Sequence, residues 1–134
     1  MVRNSCSSIE SRILNYVNST RNRRGLHPVL PSKELIHCAE KHSGTMAHRG
    51  SIFHGDCGPL TGSYENCGMI PKGRVIGFKD EIRTDTDIAR ALHQQWMRSH
   101  TGHRENILDP HHRFAGIGVK RRGNEFFATE LFHH

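Results

Sequence analysis

From Ile9 the apolar positions run Ile9, Ile13, Leu14, Tyr16 and Val17, the three-and-four spacing of an amphipathic helix. Gly25 is the stop signal, and Pro28 and Pro31 beyond it force an extended connection. Ser32 then reads as an N-cap, with Glu34 in the first turn, where the helix dipole favours an acid. Leu35, Ile36, Ala39, His42, Ser43 and Met46 fall on one face of a second helix. His42 lies in line with that stripe and reads as a core histidine with a hydrogen-bond partner rather than as a ligand. A third helix begins near Thr84 or Asp85, where Thr84 and Asp87 form a capping-box-like pair. Ile88, Ala91, Leu92, Gln95, Trp96 and Ser99 line one side of it, with Trp96 most simply a core residue.

Between the second and third helices the periodicity fails. Residues 50 to 84 are rich in Gly and read as one long loop, a feature that in a small domain usually carries function. His54, Cys57, Glu65 and Cys67 follow one another in it. The chain closes on two β-prone runs, Phe114 to Lys120 and Glu125 to Phe132, separated by Arg121 to Asn124 with Gly123-Asn124 as a hairpin signal. No repeat, low-complexity tract or linker divides the chain. It therefore reads as one domain over residues 1–134, with a core from about 9 to 132. Helices first and a hairpin last predict an α+β fold, helices packed on an antiparallel sheet.

Composition changes this picture only in places. The 134 residues, 34% hydrophobic and 24% charged, suit one domain with a lean core. No window approaches the roughly 18 uninterrupted apolar residues of a membrane span. The start, MVRNSCSSIE, has no stretch resembling a signal peptide, which leaves an intracellular protein or a mature fragment given a starting methionine. The net charge of +6 invites a nucleic-acid reading. The basic residues, however, form short clusters (Arg21, Arg23 and Arg24; Lys120, Arg121 and Arg122) without interleaved aromatics to stack bases. They read as solvated faces, and no nucleic-acid partner is expected. Of the twelve histidines, His133 and His134 are set aside as the remnant of a purification tag. Cys38 reads as a small buried hydrophobe and Cys6 as exposed.

Four segments, in order, resemble the prokaryotic branch of the CAP superfamily, the SCP-like extracellular domains, whose wider membership includes cysteine-rich secretory, antigen 5 and pathogenesis-related proteins. VNSTRNRRGLHPVL, Val17 to Leu30, is similar to a family helix end. ELIHCAEKHSGTMAHRGSIFH, Glu34 to His54, is similar to the second helix and the aromatic-His that follows. YENCG, Tyr64 to Gly68, resembles the Gly-Glu-Asn-Ile element, with Tyr64 for the Gly and Cys67 for the Ile. WMRSHTGHRENIL, Trp96 to Leu108, is the most specific of the four. AGIGV and FFATELF match the closing strands. The resemblance implies a three-layer α-β-α sandwich around a small antiparallel sheet, and an extracellular or cell-surface setting.

It also implies a cleft lined by two histidines and two glutamates. His54 matches the first histidine, Glu65 the first glutamate and His103 the second histidine. Ser99 stands where animal and plant members carry the second glutamate, so the tetrad is incomplete. Neutral imidazoles are good ligands for zinc or another divalent cation, and two of them leave positions open to water. Two states of the cleft follow: metal-bound, or empty and lined by hydrogen-bonded histidines. Asn66, Ser99 and Arg104 are expected to support the cleft; Asn66 orders the loop around Glu65, and Asn106 caps backbone groups of its turn.

Cys57 and Cys67 bracket Glu65 and admit three states. A disulfide would close a short loop, worth roughly 2–3 kcal/mol; the thiols could be free; or His54, Cys57, Cys67 and His103 could hold a structural zinc. Two functions stand side by side. One is a secreted binding module whose cleft takes a metal, a lipid or a peptide. The other is a metal-dependent hydrolase in which Glu65 acts as base on a water held by His54 and His103; the missing acid at Ser99 counts against it.

Overall fold

The computed structural model describes residues 6–55 and 64–134. In chain order its elements are α1 (Ser7–Arg23), β1 (Leu30–Pro31), α2 (Lys33–Arg49), β2 (Tyr64–Pro71), α3 (Asp85–Met97), α4 (His103–Leu108), β3 (Phe114–Arg122) and β4 (Glu125–His133). The helix signals act as expected. Helix α1 buries Ile9, Ile13 and Val17 and closes at Gly25, which sits at φ +72° while the Leu26 N–H reaches back to the Arg21 carbonyl. The Ser32 hydroxyl accepts from the Leu35 N–H at the start of α2. At α3, Thr84 and Asp87 cap each other reciprocally.

The four strands form one sheet in the order β1-β3-β4-β2. Strands β3 and β4 are an antiparallel hairpin turning through Gly123 and Asn124, and β2 runs antiparallel along the far side of β4. The short β1 pairs parallel with β3, so the sheet is mixed rather than wholly antiparallel. Pro31 cannot donate to a ladder, which suits this edge position. Strand β2 lies inside the stretch read as loop. Its Asn66, Cys67, Gly68 and Ile70 are buried on alternate faces, and helices cover both sides, so the alternation that marks a strand is missing.

Helix α2 covers one face of the sheet, and α1 and α3 the other, giving the α-β-α layering. On the α1/α3 face, Ile13, Val17, Ile88, Leu92 and Trp96 meet Ala115, Ile117, Val119, Phe126 and Phe132. Burying each large side chain of this kind contributes roughly 1.5–3 kcal/mol. The Trp96 Nε1–H also donates to the Cys67 carbonyl at 3.0 Å, tying α3 to β2. On the α2 face, a Cβ added to Gly116 or Gly118 would fall 2.3 or 2.2 Å from the helix backbone. The Ser43 hydroxyl there donates to the Gly118 carbonyl and lies 2.8 Å from Thr129 Oγ1. Cys6 is 2% exposed and packs into the core, against the expectation of an exposed terminus, because α1 starts there and presses its first turn inward. Cys38 is half-buried beside Leu35, Ala39 and Leu131.

Candidate functional site

Alternation along β2 sends Glu65, Cys67 and Met69 to the α2 face, and Asn66, Gly68 and Ile70 to the α3 face. Glu65 is the focus of the first set. Its Oε1 accepts from His54 Nδ1 at 2.8 Å, from the Gly55 N–H at 3.0 Å and from the Cys67 thiol at 3.3 Å. The carboxylate side chain is 12% exposed and the imidazole 75%, so a sheltered acid fixes an accessible ring. His42 supports the same turn by donating from Nε2 to the Phe53 carbonyl at 2.6 Å and by meeting the Phe53 ring edge-on. This matches the hydrogen-bonded histidine expected from the helix pattern. A Cβ on Gly55 would lie 2.3 Å from His42 Nδ1; only glycine lets the chain pass here and offer its N–H to Glu65.

His103 opens α4 after Gly102. Its Nδ1 lies 2.9 Å from Ser99 Oγ, and that hydroxyl also accepts from the Thr101 N–H and contacts Thr101 Oγ1. If Ser99 donates to Thr101 Oγ1, every one of these bonds is satisfied with His103 donating from Nδ1. Ser99 thus supplies the imidazole partner from the position where the resemblance puts a carboxylate. Burial, then the neighbouring His54, holds His103 below the usual histidine range, which keeps the ring neutral.

Between β2, β4 and α4 runs a polar network. Asn66 Nδ2 donates to the His103 carbonyl and to Glu130 Oε1. Asn106 Nδ2 donates to Asn66 Oδ1 at 2.9 Å and to the Glu65 carbonyl at 3.4 Å. Asn106 therefore bridges α4 to β2 rather than capping its own turn. Arg104 donates to the Met97 carbonyl and joins α4 to α3. Glu130 is fully buried, and desolvation pushes its carboxyl up to about 8, so it is protonated at neutral pH. No spacing in the sequence marks Glu130, because its burial depends on three elements meeting.

The expected ligands come together only in part. His54 meets Glu65, and His103 meets Ser99; His54, Glu65 and His103 do not form a trio with ligand atoms within 4.8 Å of one another. Among the described residues, two trios do: His42, Glu65 and Cys67, and Asp109, His112 and His134. Cys57 lies outside the described residues. Cys67 is a free thiol, so the expected Cys57–Cys67 bridge is not formed; the strand turns its sulfur towards Met46, Ala47 and Phe127 instead. Burial, then the Glu65 charge, pushes this thiol well above its ordinary value. It is a neutral donor to Glu65, and Cys57, the other thiol of the structural-zinc reading, lies outside the described residues.

The family model described as "CAP: Cysteine-rich secretory protein family" matches residues 14–132. The uncharacterized protein YkwD of Bacillus subtilis (strain 168) is 27% identical over 124 residues, which cover 90% of this chain and 46% of that protein; the chain thus spans about half of this relative. An extracellular protein containing a SCP domain from Bacillus anthracis str. Ames superposes with a TM-score of 0.73 at 21% identity, over 94% of this chain and 40% of that one. The structure of NaASP2 with Zn2+ superposes with a TM-score of 0.62 at 12% identity, over 98% of this chain and 80% of that one. Among the described residues no helix is long and apolar enough to cross a membrane.

Proposed function

Because the chain belongs to the CAP, or cysteine-rich secretory protein, family, we propose that it is an extracellular or cell-surface binding module whose cleft takes up a divalent cation on His54 and His103. One observation carries this reading: both imidazoles have Nδ1 engaged, by Glu65 at 2.8 Å and by Ser99 at 2.9 Å. Partners of this kind fix the tautomer and leave Nε2 as the ligating atom. Neutral imidazoles suit zinc, and two protein ligands leave positions for water or for a group from a peptide or lipid. Zinc in the NaASP2 structure supports the choice of ion. Glu65 serves as an orienting group, its Oε1 accepting from three donors, which favours a binding module over a hydrolase that uses this acid as base. The extracellular setting draws support from the Bacillus anthracis neighbour.

The test is a calorimetric zinc titration in a His134→Ala/Asp109→Asn background, which disables the second donor trio. Saturable binding that disappears on adding His103→Ala supports the cleft site. No heat, or binding indifferent to His103, sinks it.

A further inference from the structure

We propose that Asp109, His112 and His134 form a second cation site, for a borderline divalent ion such as zinc, that fastens the end of β4 to the connection between α4 and β3. The site does not depend on the cleft reading. His112 is fully buried, yet neither of its ring nitrogens makes a hydrogen bond of good geometry, the Asn106 backbone acting on the ring only weakly. A buried imidazole in that state is costly unless something occupies its lone pair. Its Nε2 is aimed at Asp109 Oδ2, 3.9 Å away, and His134 Nε2 lies 3.6 Å from the same oxygen. Both separations are too long for hydrogen bonds. They lie close to the roughly 3.3 Å between ligands of a tetrahedral zinc with 2.0–2.1 Å bonds.

The surroundings prepare each ligand. Asp109 Oδ1 is held by the His111 N–H at 2.8 Å and by His111 Nδ1 at 3.1 Å, which leaves Oδ2 to face the two histidines. Arg21 is the nearby cation, but its Nη1 donates to the backbone carbonyls of Ile107 and Asp109, so the Asp109 carboxylate remains the negative charge of the trio. The His112 ring stacks on Phe132 at 4.9 Å, while Tyr64 packs 5.1 Å from His112 and 5.2 Å from His134. His134, set aside on sequence grounds, is thus partly exposed but stacked on Tyr64. Two imidazoles, one carboxylate and an open fourth position make a donor set suited to zinc.

The test uses the full chain with His54→Ala/Glu65→Gln, which removes the cleft donors, and titrates zinc by calorimetry while following the His112 ring protons by NMR. The expected result is one saturable equivalent, with the His112 resonances shifting in step. Adding His134→Ala or Asp109→Asn, both away from the packed core, should weaken binding by at least about tenfold, the loss that even outer partners of a metal cause. Absence of binding in this background, or binding that both substitutions leave unchanged, overturns the proposal. Failure of the cleft is read separately, in the background that lacks Asp109 and His134.

Discussion

On the α2 face of the sheet, backbone lies against backbone: Gly116 and Gly118 of β3 leave no room for even a methyl group beneath the helix. On the opposite face, Ile117 and Val119 of the same strand reach out to the side chains of α1 and α3. One strand therefore serves two packing regimes, set by alternate residues. The close face tolerates no addition, and a single small hydroxyl, Ser43, bridges to the strand there. The thick face depends on side-chain volume, and it also encloses ionisable groups such as Glu130 and His93. Sensitivity to substitution should follow this division residue by residue.

The largest effect is expected from Gly118→Ala. The new carbon would meet the Glu40 nitrogen and the Ala39 carbonyl, neither of which can move alone, so a loss of about 3 kcal/mol or more is expected. Urea unfolding measures it, and a loss below about 1 kcal/mol would break the comparison. Ile88→Val on the thick face removes one methylene from a site that is 0% exposed and should cost about 0.5–1.5 kcal/mol. The same unfolding series reads it, and a cost equal to that of the glycine change would erase the distinction.

The last effect depends on pH. Glu130 is raised from its ordinary 4.5 to about 8 by burial, so the folded state holds a proton that the unfolded state gives up. Its contribution is complete below pH 4.5 and is lost as pH rises through 8. Glu130→Gln keeps the neutral shape, so its melting temperature relative to the native chain should climb between pH 4.5 and 8 and level off below. A difference independent of pH would show that Glu130 is not protonated in the fold.

How much of this was legible follows from where each signal resides. Helices α1 and α3 and the β3–β4 hairpin announce themselves locally, through a periodic stripe, a capping pair and a Gly-Asn turn. Strand β2 does not, because Asn66, Cys67 and Gly68 owe their burial to helices on both sides rather than to hydrophobicity of their own. At the site, the motifs indicated His54, Glu65 and His103, and the hydroxyl of Ser99 at the place of an acid. What they could not convey is direction. Cys67 is near Cys57 in sequence, but the pleat turns its sulfur towards α2. His112 shows the same gap: two residues past Pro110 it sits in a turn, and only the packing of Phe132 of β4 against it makes it a buried base.

The neutral, enclosed state of Cys67 makes that sulfur a clock. An alkylating reagent attacks the thiolate, and burial leaves almost none of it at neutral pH. Labelling must wait for β2 to part from the helix above it, so the rate of modification counts local openings and reports their free energy. Occupancy of His54 beside it would then be read as a slower tick.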